Sequence, residues 1–402
     1  MRKFNYEARD KATGKIIKSM VQADSETEAA KVLIAQGYMP LSLKEEDENG
    51  NLLARLSNRI TRKDRIIFSR QLATLIGAGL PLTQSLRTVL DQTSNKRMQE
   101  VVQEIIADVE GGKSLSSAFS KHPEVFNKLY VALVTAGETS GTLDDALRRI
   151  STQQEKDAAM ISKIRGAMVY PAIVLVVMLA VMLFMMFTII PQVEKLYVDT
   201  KQELPFLTAI LISVSNFMIS YWWLVFIVAA IGIYFLRQYS KTESGIRTFD
   251  SLKLNMPVFN GLMRRLYMAR FTRTGQTLLA TGVPMLDALK ISSDAVSNTL
   301  VSEEIDRAAN KVQSGKALST ALSNEDYILA MVPQMIKIGE QSGKIDEMMG
   351  KTAQVYEDEL DEQIKNLSTM IEPVLMVILA LFAGGIIGAV LFPIYSLVNA
   401  IR

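Results

Sequence analysis

Apolar residues in this chain gather into long uncharged runs in its middle and near its end. Elsewhere they recur every three or four positions. Residues 171–190 read PAIVLVVMLAVMLFMMFTII, 20 positions without a charge. Residues 204–236 are uncharged over 33 positions, and the part SNFMISYWWLVFIVAAIGIYFL is the better membrane candidate. Residues 373–401 are uncharged over 29. A helix needs roughly 20 apolar residues to cross the hydrocarbon core, so three transmembrane helices are expected, at 168–190, 215–236 and 372–398. Buried helices of a large soluble protein are shorter and carry charge on one face, which fits these runs poorly.

Charges beside the runs set an expected topology. Lys156, Lys163 and Arg165 precede the first, and Arg237, Lys241, Arg247 and Lys253 follow the second. The short 191–205 segment between them has no positive excess. The positive-inside rule then puts the N-terminal part and the middle segment in the cytoplasm, with 191–205 and the C-terminus outside.

The helical-period stretches repeat. FSRQLATLIGAGLPLTQSL at 68–86 aligns with FTRTGQTLLATGVPMLDAL at 271–289, and GKSLSSA at 112–118 aligns with GKALSTA at 315–321. After a one-residue gap, GETSGTLD at 137–144 matches GEQSGKID at 339–346. Ordered matches at constant spacing mark a duplicated unit of about 100 residues. The two helical repeats are expected at 61–166 and 264–368, with apolar faces such as Leu72, Leu75, Ile76 and Leu278, Leu279, Leu286.

Gly112-Lys113-Ser114 looks like the tail of a phosphate-binding loop. Such a loop needs an earlier glycine and must join a strand to a helix. Here Ala107 holds the first glycine position, and Val101, Ile105 and Val109 have helical spacing. The second copy replaces Ser114 with Ala317, which has no hydroxyl for magnesium. A helix turn is expected instead, with left-handed Gly112 and Gly315 and with Ser114 capping the next helix. Likewise Gly79-Leu80-Pro81 and Gly282-Val283-Pro284 end one helix and start another, with proline just inside the start. Gly137 and Gly339 sit near a further helix end, and Asp144 and Asp346 are placed to cap the next helix in each copy.

The candidate motif residues are Gly137, Glu138, Ser140 and Gly141, with Gly339, Glu340, Ser342 and Gly343. Glu138 and Glu340 have no obvious capping role. Structural hydrogen bonding is favoured for them over partner or ion contact. In the third span Ala380, Gly384 and Gly388 fall four apart, a candidate helix-packing stripe.

The first 50 residues read as a small α+β module. Phe4, Tyr6 and Ala8 alternate, Thr13-Gly14 offers a turn, and residues 16–23 can return as a second strand. Ser25-Glu26-Thr27-Glu28 is a capping box opening a helix that ends at Gly37. The polar run KEEDENGN at 44–51 is then a linker.

Composition narrows the function. Lys plus Arg number 44 and Asp plus Glu 42, a balance without a nucleic-acid footprint. There is no cysteine and one histidine, His122, so no catalytic, cofactor-binding or metal constellation is expected. Nor do the spans hold the ionisable groups that mark pumps.

Two repeats carrying Gly-Glu-x-Ser-Gly, each leading into an apolar span, resemble the inner-membrane platform proteins of type II secretion and type IV pilus machines (the GspF/PilC family). FNYEARDKATGK and SETEAAKVLIAQGYMPLSL are similar to that family's N-terminal extension. The resemblance covers essentially the whole chain. It implies a bundle of six helices in each cytoplasmic domain and a place in the bacterial inner membrane. It also implies contact with a cytoplasmic hexameric ATPase, pilin or pseudopilin subunits and other assembly proteins, with a homo-oligomer expected. The alternative is a permease or transporter membrane subunit, for which Ser213, Ser215, Asn216 and Ser220 are the available polar residues. The acidic run at 357–362 reads as a solvated helix face, with docking to the ATPase as the sharper alternative.

Overall fold

The computed structural model describes residues 2–10, 16–23, 30, 34, 38–45, 59–200, 206–257 and 259–401. Its first part holds three strands, β1 (Arg2–Asp10), β2 (Ile16–Ala23) and β3 (Tyr38–Glu45), in one antiparallel sheet ordered β2-β1-β3. β2 covers the stretch expected to return beside β1, pairing from Arg2 opposite Ala23 to Arg9 opposite Ile16. β3 goes beyond the expected pair; it adds to the other edge of β1, with a register shift between Glu7 and Ala8. The expected turn at Thr13-Gly14, the linker beyond Glu45 and most of the capping-box helix lie outside the described residues. Of that helix only Ala30 and Ile34 are described, and both are helical.

Copy one comes next, as α1 (Arg62–Gly77), α2 (Leu82–Gln92), α3 (Lys96–Glu110), α4 (Leu115–Ser120), α5 (Lys128–Ser140) and α6 (Leu143–Phe184). Apolar positions three and four apart bury one face of each helix. Leu72, Leu86, Leu115, Leu133 and Leu147 are fully or almost fully buried, as is an aromatic group of Phe68, Phe119, Phe126 and Tyr130. Phe119 meets Phe126 at 4.3 Å between centroids and Tyr130 edge-on at 5.1 Å. The buried Tyr130 oxygen accepts a hydrogen bond from Ser69. Burial drives its pKa well above the ordinary tyrosine value, so it stays a neutral core residue.

α6 does not stop at the membrane entry. It runs through Pro171 to Phe184, passes a π-helical turn at Met185–Ile189, and continues as α7 (Ile190–Thr200). The segment expected as a loop from 191 is therefore helical as far as Thr200. Next come α8 (Phe206–Tyr239), kinked at Tyr221 where φ is −118° and ψ 20°, and α9 (Glu243–Asn255).

Copy two is α10 (Asn260–Ala280), α11 (Met285–Val296), α12 (Thr299–Gln313), α13 (Leu318–Leu322), α14 (Met331–Ser342) and α15 (Ile345–Ile401). Phe271, Val301, Ile305, Leu318, Val332, Ile336, Met349 and Leu360 form its core. Leu278 is buried as expected. Leu286 is 39% exposed, because it lies on the outer side of α11.

Both prolines of the Gly-x-Pro turns sit one place earlier than expected, just before the helix. Their carbonyls accept the first helical bonds, from Ser85 and Ala288 at 2.9 Å each. Among the described residues three helices, around 143–199, 208–239 and 345–388, are long and apolar enough to cross a membrane, and most of their apolar side chains are exposed.

Candidate functional site

The Gly-Glu-x-Ser-Gly residues lie where α5 turns into α6. Gly141 takes φ +74° and donates its N–H to Gly137 O, which also accepts from Thr142 N at 2.9 Å. That left-handed angle closes the helix at little cost only for glycine. Gly137 faces the start of α6 so closely that an added Cβ would lie 2.7 Å from Ala146 Cβ. Ser140 donates to Ala136 O at 2.7 Å and shares a 2.7 Å contact with Thr142 Oγ1.

Glu138 reaches sideways. Its carboxylate accepts from Leu115 N at 2.5 Å, Ser116 N at 3.0 Å and Ser116 Oγ at 2.5 Å. These are unsatisfied N–H groups of the first turn of α4, so Glu138 caps that helix from 22 to 23 residues away in sequence. A cap supplied from that far away leaves no local pattern in the sequence. Three bonds to a charged acceptor in a half-buried setting are worth about 2–3 kcal/mol in all. The motif thus fastens α4, α5 and α6 into one joint.

Copy two repeats the joint with different surroundings. Glu340 accepts from Ser319 N at 3.1 Å and Ser319 Oγ at 2.5 Å, capping α13. Gly343 has φ +72°, and Lys344 N donates to Gly339 O at 2.9 Å. A Cβ on Gly339 would lie 2.7 Å from Ile345 Cα. Ser342 donates back to Ile338 O at 2.8 Å. Asp144 and Asp346 do not cap; they lie within the first turns of α6 and α15, where negative charge still suits the helix dipole. Thr142 holds the cap position before α6.

Gly112-Lys113-Ser114 joins helix α3 to helix α4, with no strand before it. Gly112 and Gly315 have φ +86° and +91°. Ser114 caps α4 by accepting from Ser117 N, and Ala317 at the matching place makes no side-chain cap. Lys113 pairs with Asp108 at 2.7 Å. Hydrogen bonds from Lys113 and Lys121 hold that carboxyl below its ordinary value. His122 is buried, 3.5 Å from Glu104. Among the described residues no group of three His, Cys, Asp or Glu is arranged to hold a metal.

The acidic run at 357–362 is largely engaged within the chain. Arg273 grips Glu357 with Nε at 2.8 Å and Nη2 at 2.9 Å, and Lys156 joins it at 3.1 Å. Lys163 pairs with Asp361 at 2.5 Å, and Arg265 pairs with Glu359. The run therefore ties α15 to α10 and to α6, joining the two copies. Met160, Ile164 and Ala167 of α6 also pack against the copy-two core.

Two polar residues of α8 bind the preceding helix segment. Ser215 donates to Met186 O at 2.5 Å, a carbonyl in the π turn, and Asn216 donates to Glu194 at 3.1 Å and 3.2 Å. Ser213 bonds back to Ala209 O. Ala380, Gly384 and Gly388 are exposed, and an added Cβ on either glycine would meet nothing within 4 Å. The stripe does not pack on the described residues of this chain.

Comparison with known proteins decides among these readings. The family described as type II secretion system (T2SS) protein F matches residues 68–191 and 271–393, once on each copy, and its N-terminal domain matches 1–44. The chain belongs to the type II secretion system protein F family. It is 37% identical over 403 residues to the type IV pilus assembly protein PilC of Thermus thermophilus, covering 99% of this chain and 98% of that one. It is 35% identical to PilC of Pseudomonas aeruginosa, covering 91% and 97%. To type II secretion system protein F of Xanthomonas campestris it is 34% identical, covering 99% of both. A role in pilus or secretion machinery comes with this membership, and nothing in it favours a permease.

Proposed function

We propose that the chain is the inner-membrane platform of a type IV pilus or type II secretion machine, passing the work of a cytoplasmic hexameric motor ATPase to pilin or pseudopilin subunits. The observation that carries this reading is the continuity of α6 and α15. Each starts at a Gly-Glu-x-Ser-Gly joint and runs unbroken into an apolar span. A push on either bundle is then a push on a membrane helix. The chain does no chemistry of its own, since its motif carboxylates are spent on helix caps.

Both copies and the N-terminal stretch face the cytoplasm, and the C-terminus lies outside. Basic flanks at Lys163, Arg165, Arg237 and Lys241 support that orientation. The N-terminal sheet and the helix between β2 and β3 form a small α+β module. The Ala380, Gly384 and Gly388 stripe packs against a second copy or another assembly protein, because small residues let helices approach closely in lipid.

Deleting the chain's gene should abolish surface pili or secreted substrate, and the full-length protein should restore them and co-purify with the motor. Normal output after deletion would overturn the reading.

A further inference from the structure

Two adjoining open hollows of about 210 Å³ and 430 Å³ lie where α6 meets α1 and α10, and both are lined by Arg148. Arg149, Gln153, Lys156 and Arg273 line the smaller, and Arg70 the larger. No carboxylate lines either one. Arg70, Lys156 and Arg273 are paired with Glu155 or Glu357. Arg148 and Arg149 have no ion-pair partner among the described residues. Gln153, 7% exposed, adds a neutral polar side chain to the lining of the smaller hollow.

We propose that this cleft docks an acidic segment of a cytoplasmic protein, with Arg148 and Arg149 gripping its carboxylates. The proposal rests on the platform reading, in which the bundles face protein partners, and gives that contact a place. The walls are the sides of helices, so the donors are side chains. No run of backbone N–H groups is present to wrap a phosphate chain. Lipid headgroups are out of reach, because Arg148 lies roughly 35 Å along α6 from Pro171 at 1.5 Å per residue. Arg148, Thr152 and Lys156 succeed one another at single-turn spacing, which suits carboxylates on successive turns of a partner helix. Copy two does not offer the same surface. In register, Gly350 replaces Arg148, Val355 replaces Gln153 and Asp358 replaces Lys156.

The test uses the full-length protein in nanodiscs of zwitterionic lipid, with a fluorescent peptide of alternating Glu and Ala as probe. Saturable binding is expected, weakened about tenfold by Arg148→Glu with Arg149→Glu and by high salt. Lys351→Glu, in copy two, should leave it unchanged. An unchanged melting temperature shows that the reversed variant is folded; if it is not, Arg149→Gln alone should weaken binding about threefold. Equal binding by parent and variants, equal binding of a Gln-Ala peptide, or occupation of the cleft by Mg-ATP instead would overturn the proposal. Absent peptide binding in a protein whose deletion abolishes pili would sink this inference alone. Normal pili after deletion would sink the platform reading whatever the peptide does.

Discussion

The two copies share a joint and differ in nearly everything packed around it. In copy one the core is aromatic, with Phe119 and Phe126 in contact. In copy two the position matching Phe119 is Leu322, in a core that combines Phe271 with Val332, Ile336 and Met349. In copy one the carboxylate cap takes three hydrogen bonds, in copy two only two. The lesson is that backbone demands persist where packing does not. Left-handed Gly141 and Gly343, and the close approaches at Gly137 and Gly339, leave no substitute. A core needs only matching volume.

The largest expected effect breaks the joint at its closest contact. Gly339→Ala should destabilise copy two by about 3 kcal/mol or more, since the new methyl meets Ile345 Cα, which is backbone. Gly137→Ala should cost about as much, because the Ala146 methyl it meets at 2.7 Å is fixed to the backbone and Leu143 Cα lies 3.1 Å away. Gly275→Ala should cost least, because it faces the end of flexible Met349. Thermal unfolding of the three variants would check the order, and equal losses would remove the backbone argument.

Next are the caps. Glu138→Ala should cost about 2–3 kcal/mol and Glu340→Ala about 1–2, in line with the bonds each carboxylate accepts. Hydrogen exchange localised to α4 and α13 reads each separately. A larger loss at Glu340 would contradict the bond count. Smaller still, Ser114→Ala should cost about 1 kcal/mol, while Ala317→Ser should gain a few tenths.

A pH series sharpens the contrast, because Glu304 of copy two and Asp250 of α9, which packs against it, are buried acids shifted in opposite directions. Burial raises the pKa of Glu304 despite the 2.9 Å bond from Tyr327 N. Burial works against the Asp250 charge too, yet Lys253 and Thr299 outweigh it and hold its pKa below the ordinary value. Folded Glu304 therefore holds its proton more tightly than the unfolded chain does. Stability should rise as pH falls through the raised Glu304 value toward the ordinary glutamate range. It should then drop as pH falls below the ordinary aspartate range and Asp250 is protonated. Glu304→Gln should erase the rise and keep the drop. Hydrogen exchange in copy two, compared with copy one, tracks both phases.

Much of the fold is legible in the sequence, for local reasons. The spans come from uncharged length, the turns from Gly112 and Gly315, and the cap from Ser114; the helix end read at Gly137 and Gly339 falls four residues later, at left-handed Gly141 and Gly343. The roles of Glu138 and Glu357 are not legible in detail, because their partners come from distant elements that only the fold brings near. The acidic run reads as solvated surface in the sequence; Arg273, Lys156 and Lys163 turn it into a tie between copies. The cationic cleft is hidden likewise, since Arg70, Arg148 and Arg273 sit on three separate helices. The π turn and the extension of helix to Thr200 leave no signal beyond continued helical periodicity.

The central claim is that force passes through unbroken helices at matched places in the two copies, so the most direct measurement interrupts them. A short Gly-Ser insert after Tyr170 or after Glu372, both exposed, should leave the protein inserted and bound to its motor. Pilus or secretion output should nevertheless fall to the level of the deletion strain. Normal output from either inserted chain, with insertion and motor binding verified, would contradict the account.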